Sequence, residues 1–183
     1  MRQIPTPYTV VWIETTGDKD KKTSLRTLDK KSNFFTKELD ELLLQGEIDC
    51  AIHSAKDLPD PLPQGLVLAA LTKGLDPRDS LVFKEPLKQG ATVATSSLRR
   101  EEIIRAWRPD LKCVDVRGTI EERLAQNVDG VVIAEASLIR LGLTHLQRIF
   151  LPGDTAPMQG RLAILVHEKN QSVRDLFAPC TLA

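Results

Sequence analysis

Asp49-Cys-Ala-Ile-His-Ser-Ala-Lys-Asp-Leu-Pro-Asp60 is the stretch from which the rest of the chain is read. Through Ser54 it alternates as a half-buried strand does, and it closes on a Lys56-Asp57 pair just ahead of Pro59. A strand that carries a carboxylate to its own C-terminal end, beside a lysine, suits proton chemistry. The plainer alternative is a surface ion pair or a turn cap at Asp57, and the residues alone do not choose between the two.

Working outward, apolar spacing predicts a helix from about Phe34 to Leu44, with Phe35, Leu39, Leu42 and Leu43 on one face. Asn33 is its expected cap and Gly46 its stop. A strand is expected over Ile48–Ser54 and another over Leu66–Thr72, with a Pro-rich turn between them. Upstream, Tyr8-Thr-Val-Val-Trp-Ile-Glu14 reads as a buried strand. The charged, aperiodic run Gly17 to Asn33 reads as a mobile loop acting as a lid.

Around Thr72–Arg78 the pattern breaks as at a hinge. Beyond it strands and helices alternate: strand Thr92–Ala94, helix Ser97–Trp107, strand Lys112–Val116 and a helix opening at Thr119, where Thr119 and Glu122 have capping-box spacing. Strand Gly130–Ala134, helix Glu135–Leu141, strand Leu162–Val166 and helix Ser172–Phe177 follow. The expected fold is α/β: two hinged domains, mostly parallel sheets, the first from residues 1–72 plus 158–183 and the second from 76–155.

Composition narrows the function. The 183 residues are 42% hydrophobic and 27% charged, an ordinary globular balance. Lys+Arg and Asp+Glu are equal at 25 each, so no global field draws nucleic acid or an anionic membrane. Cys50, Cys113 and Cys180 are scattered, with neither metal-ligand nor disulfide spacing, which points to a reducing compartment. No apolar run approaches a membrane span and no apolar signal core opens the chain, so a cytoplasmic or organelle-stroma protein is expected.

An anion site must then be a local concentration of arginine. Arg99 and Arg100 follow Thr95-Ser96-Ser97 at one helix start, while Arg117 and Arg123 flank Gly118-Thr119 at another. Arginines at positive dipole ends are unfavourable without an anion, which argues for function. Arg105 and Arg108 fit a solvated helix face. Thr95, Ser96 and Ser97 fit a plain N-cap as well as a ligand contact, and His53 fits a satisfied core histidine.

The segments His53-Ser-Ala-Lys-Asp57, Ala94-Thr-Ser-Ser-Leu-Arg-Arg100 and Val116-Arg-Gly-Thr-Ile-Glu-Glu-Arg123 together resemble the porphobilinogen deaminase (hydroxymethylbilane synthase) family. The resemblance runs from about Thr9 to Phe177. It implies the hinged architecture of type II periplasmic binding proteins. It also implies a transferase that joins four porphobilinogens into the linear tetrapyrrole hydroxymethylbilane with loss of ammonia. Asp57 takes the family's catalytic carboxylate role, stabilising an azafulvenium cation and shuttling protons. Arg99, Arg100, Arg117, Arg123 and Arg140 take the substrate- and cofactor-carboxylate arginines, Ser54, Lys56, Thr95, Ser96 and Ser97 the cofactor-side donors, and Phe35 an aromatic beside the substrate. Met158-Gln-Gly160 resembles the family's Gly-Gln-Gly crossing, with Met158 in place of its first glycine.

The family further implies an upstream strand and helix with an Arg-x-Ser motif, and a third domain whose Gly-Gly-Cys cysteine holds a dipyrromethane cofactor. Neither pattern occurs here, and Cys180, in Ala178-Pro-Cys-Thr181, is too early and in the wrong context. A dipyrromethane is expected from the family, but its attachment cysteine is not evident and no metal is called for. A truncated form of a full transferase, or a divergent member with impaired activity, is therefore expected, acting on porphobilinogen and pyrrole oligomers and pairing as a dimer through the exposed edge of the first domain. The rival class is a non-catalytic, hinged carboxylate sensor.

Overall fold

The computed structural model describes residues 6–20, 23–24, 26 and 33–181. Strands are β1 (Ala51–Ser54), β2 (Leu66–Leu71), β3 (Asp79–Phe83), β4 (Thr92–Ala94), β5 (Lys112–Val114), β6 (Gly130–Ala134), β7 (Arg148–Phe150) and β8 (Leu162–His167). Helices are α1 (Thr16–Lys19), α2 (Lys37–Gln45), α3 (Leu98–Trp107), α4 (Ile120–Leu124), α5 (Glu135–Arg140) and α6 (Gln171–Phe177). The chain divides into two compact units, one of residues 1–19, 31–73 and 161–183, the other of 20–30 and 74–160. Of the run read in sequence as a lid, the described residues 20, 23, 24 and 26 thus belong to the second unit.

In the first unit β8 lies between β1 and β2 and pairs antiparallel with both. A strand flanked on both sides and covered on both faces needs apolar residues throughout, and β8 supplies Ala163, Ile164, Leu165 and Val166, all buried. On one face Leu165 joins Leu43, Ala51 and Leu66; on the other Ile164 joins Ala70 and Phe177. Each large side chain so enclosed contributes about 1.5–3 kcal/mol. α2 ends at Gly46, whose φ of 73° lets its N–H turn back to the Leu42 and Leu43 carbonyls.

The second unit holds a five-stranded sheet in the order β5-β4-β6-β3-β7. β6 is buried from end to end, and its pleat sends Val132 to a cluster with Leu81, Val93 and Ile104. Val131 and Ile133 point to the opposite cluster with Ala94, Val116 and Leu138.

Four sequence expectations are corrected. Only β4 with β5 and β4 with β6 pair parallel; the other four described pairings are antiparallel, so the sheets are not mostly parallel. The reason is connectivity, because only β4, β5 and β6 are joined in turn by the crossover helices α3 and α4 that a parallel pair requires. The segment from Tyr8 to Glu14 forms no strand, and its Tyr8, Val11 and Trp12 are 69%, 58% and 91% exposed. Its β-branched pattern is right, but no described strand pairs with it, and strand preference without a partner is weak. Gly17 does not open a loop: it is buried within α1, where Thr15 and Asp18 bond reciprocally as a cap and a Cβ at 17 would collide with the Phe35 ring. Most of the rest of the expected lid lies outside the described residues. Last, Phe35 precedes α2, whose cap is Thr36 rather than Asn33.

Candidate functional site

In the first unit β1 alternates buried and exposed, which puts Ala51 and His53 inward and Ile52 and Ser54 outward. A short 3-10 turn, Ala55–Asp57, follows at once; Ala55 is buried, so the turn leaves Lys56 and Asp57 in solvent beside Ser54. The Ala55 N–H is tied to the Arg161 carbonyl at 3.1 Å, and Pro59 is buried behind the turn. The strand therefore ends on a pinned turn with a displayed lysine and carboxylate. His53 is 7% exposed, and burial lowers its pKa against the opposing pull of Asp57, so the ring is neutral. It is a core histidine, as its place in the pattern indicates, but not a satisfied one: its buried Nε2 has no hydrogen-bond partner among the described residues. Phe35 stands half-buried, edge-on to Phe34 with ring centroids 5.2 Å apart.

In the second unit the remaining candidates follow the C-terminal ends of β4, β5 and β6. β4 lies between the other two parallel strands, so the chain turns to opposite sides of it, and such a switch point is where open α/β sheets bind ligands. Thr95, 1% exposed, bonds from its N–H to the Val114 carbonyl at 2.9 Å and accepts from the Ser97 N–H at 3.2 Å. Ser97 caps α3 by accepting from the Arg100 N–H, and Ser96 donates to the Val116 carbonyl. These three side chains build the loop.

The arginines differ sharply in their surroundings. Arg100 is 8% exposed and Arg99 half-buried, and both reach Asp79, at 2.6 and 2.5 Å. Burial alone would raise the Asp79 pKa, but the two guanidiniums more than offset it and hold the carboxyl below its ordinary value. The expectation of clustered, uncompensated cations at the α3 start is corrected by this carboxylate. Arg117 Nη2 donates to the Asp20 carbonyl at 2.9 Å and Arg123 Nε to the Gly118 carbonyl at 2.8 Å. Gly118, with φ 107°, makes the turn into the capping box of Thr119 and Glu122, and a side chain there would strike Glu122. Arg140 Nη2 donates to the Gly160 carbonyl at 2.6 Å, and no carboxylate of the described residues pairs with it; burial pulls its pKa down. The exposed part of this guanidinium can take an arriving anion. Arg105, with 70% of its side chain exposed, and Arg108 lie at the surface as expected, the first paired to the buried Glu101 and the second to Asp110.

Asp79 and Gln159 were not found from the sequence. Thr72–Arg78 reads as a hinge and Asp79, just beyond it, has no role in that reading, whereas Asp79 is 2% and Gln159 4% exposed and the two bond at 2.9 Å. The signal available was Asp79 itself, a carboxylate leading into the apolar run Leu81–Phe83.

A dipyrromethane bears four carboxylates, and the half-buried Arg99 and the carboxylate-free Arg140 suit such a group. The thiols do not suit its attachment: Cys50 and Cys113 are half-buried with their pKa pushed up by burial. Cys180 packs against the Ala70–Ile164–Phe177 cluster. Among the described residues no group of three or more His, Cys, Asp or Glu could hold a metal ion. No helix there is long and apolar enough to cross a membrane.

The sequence model of a family described as "Porphobilinogen deaminase, dipyromethane cofactor binding domain" matches residues 2–175. The chain is 42% identical over 178 residues to a porphobilinogen deaminase of Syntrophomonas wolfei, covering 91% of this chain and 58% of that protein. It is 44% identical over 164 residues to one of Caulobacter vibrioides, covering 83% and 51% respectively. To a probable porphobilinogen deaminase of Chlamydia pneumoniae it is 41% identical over 175 residues, 91% of this chain and 74% of that one. The chain thus spans little more than half the length of the first two relatives. Among solved structures, a periplasmic substrate-binding protein of an ABC transporter from Coxiella burnetii shares the fold at 16% identity and TM-score 0.51, over 77% of this chain and 73% of that one. The lipoprotein Tp32 from Treponema pallidum does so at 15% identity and TM-score 0.52, over 77% and 72%.

Proposed function

Because the chain belongs to the porphobilinogen deaminase family, whose dipyrromethane-binding domain it matches over residues 2–175, we propose that it serves the polymerisation of porphobilinogen into hydroxymethylbilane, in the cytoplasm. The observation that carries the reading is Asp57, displayed beside Lys56 at the end of β1 on a turn held from behind. Each condensation breaks the C–N bond of the protonated aminomethyl group, whose electron pair leaves with nitrogen as ammonia. It leaves a methylene cation conjugated with the pyrrole. Asp57 accepts the pyrrole N–H, balances that cation, and takes the ring proton once the new C–C bond has formed. Lys56 and Ser54 flank it as donors, with Phe35 as the aromatic beside the ring. Arg99, Arg117, Arg123 and Arg140 hold the acetate and propionate groups by forked hydrogen bonds. A dipyrromethane, when bound, supplies the primer to which units are added, and the same arginines would hold its carboxylates.

A hinged carboxylate sensor is the second reading, because arginines such as Arg99 and Arg140 would serve a receptor as well as an enzyme. Such a receptor has no use for a carboxylate facing an anionic ligand. Incubation with porphobilinogen, read by released ammonia and bilane, separates the two. Turnover is expected to fall by roughly 10²-fold or more in Asp57→Asn while binding persists. Tight binding with no turnover by the parent chain establishes the sensor. Intact mass after purification reports whether a pyrrole group is attached. The reading also includes a second copy of the chain against the open edges of β1 and β2, which sedimentation would show as a dimer.

A further inference from the structure

Arg99 and Arg100 are neighbours in sequence at the start of α3, yet both end on one carboxylate. Asp79, 2% exposed, stands at the first residue of β3. Its Oδ1 accepts from Arg100 Nε at 3.0 Å, from Arg100 Nη2 at 2.6 Å and from Gln159 Nε2 at 2.9 Å. Its Oδ2 accepts from Arg99 Nη2 at 2.5 Å. Arg100 gives its last nitrogen, Nη1, to the Val132 carbonyl at 3.4 Å, so every nitrogen of its guanidinium is engaged. Arg99 gives Nη1 to the Asp154 carbonyl at 2.6 Å and keeps 30% of its side chain in solvent. Two cations and one buried carboxylate leave a single positive charge, and Arg99 is the member that displays it.

We propose that Asp79 is the positioning residue of this anion site: it aims Arg99 at a ligand carboxylate and fixes Arg100 behind it as support. The inference rests on the reading that Arg99 binds substrate carboxylates. A long, flexible arginine side chain loses rotamer freedom when it is ordered. A counter-charge that orders it before the ligand arrives removes part of that cost from binding. Asp79 touches no ligand itself, because its oxygens are already engaged by four donor contacts. Gln159 completes the clamp: its Nε2 also donates to the Pro77 carbonyl at 2.5 Å, which joins the residues on either side of β3's entry to the same carboxylate.

The test is a double-mutant cycle on porphobilinogen affinity by calorimetry, with parent, Arg99→Met, Asp79→Asn and the double variant. Arg99→Met is expected to weaken binding roughly tenfold to hundredfold, the scale of a lost charged hydrogen bond. Asp79→Asn should weaken it several-fold to about tenfold, and the double variant should bind no more weakly than Arg99→Met alone. A purely structural role for Asp79 would lower the melting temperature in both backgrounds and leave the two affinity losses additive. Additive losses, or an Asp79→Asn variant that binds like the parent while Arg99→Met does not, overturn the inference and leave the functional reading standing. If Arg99→Met binds like the parent, or the parent takes up no porphobilinogen, the functional reading fails as well and Asp79 is only a structural ion pair. Should Asp79→Asn not fold, Asp79→Glu keeps the charge and displaces it by one methylene. That variant is expected to fold, to bind more weakly, and to show the same non-additivity with Arg99→Met.

Discussion

Arg100 and Arg105 lie little more than a turn apart on α3 and carry the same charge, but removing them has different costs. Arg100 is buried against Asp79, so Arg100→Ala leaves a buried carboxylate short of its main partner and should cost about 3 kcal/mol. Arg105 has 70% of its side chain in water and pairs with Glu101, which Arg26 also reaches, so Arg105→Ala should cost about 1 kcal/mol or less. Urea unfolding of the two variants decides this, and equal losses would refute the assignment of Arg100 to the interior. The same burial predicts a pH dependence. Asp79 and Glu135 are both held below their ordinary values of 3.8 and 4.5. For Asp79 burial opposes the shift and the arginines prevail; for Glu135 the hydrogen bond from Arg148 leads. A carboxyl with a depressed folded pKa contributes stability that is fully present above its unfolded value and is lost as pH falls through the folded one. Stability should therefore drop on acidification below about pH 4.5, and less steeply in Asp79→Asn and Glu135→Gln. An acid limb of unchanged steepness in both variants would contradict the ion pairs.

Elements whose signals are local were readable in the chain. The capping box of Thr119 and Glu122 is present as spaced, and Gly46 ends α2 in the left-handed conformation its position calls for. Thr119→Ala should cost roughly 1 kcal/mol by leaving the Glu122 N–H without its acceptor. Gly46→Ala should cost a similar amount from φ alone, since nothing lies within 4 Å of a Cβ there. Thermal melts that do not shift in either variant would argue against these ends. β4 and β6 begin and end where their apolar runs do, because β-branched residues between turn signals need no distant information. β3 was missed for the converse reason. Its first two residues are polar and buried, and Asp79 and Ser80 are satisfied by Arg100, 21 residues away, and Glu135, 55 residues away. Tyr8–Glu14 failed in the other direction, a strand pattern without a strand to pair with. The candidate site divides along the same line. The place of Asp57 at the end of its strand was legible, but which of Arg99 and Arg100 is buried depends on Asp79, a residue from another element.

At the scale of the whole molecule, the first unit is closed by residues that come last. Among the described residues β1 and β2 do not pair with each other; each pairs only with β8, which the chain supplies after the second unit. Ala163, Leu165 and Val166 of β8 are fully buried, and Phe177 of α6 joins Ile164 on the outer cluster. The second unit draws both of its buried clusters from residues 81–151 and needs nothing from β8. A chain ending at Gly160 should therefore keep the second unit folded and lose the first, because β1 and β2 would be left as isolated strands with half a core. Hydrogen exchange would show this as protection retained over 79–83, 92–94 and 130–134 and lost over 51–54 and 66–71. The intact chain should protect both sets. Since the pairing of β1 with β8 spans more than a hundred residues, the first unit should also be the slower to regain protection on dilution from urea. Equal protection of 51–54 in the shortened and intact chains would show that β1 and β2 hold without β8, and the ordering of the two units would fall with it.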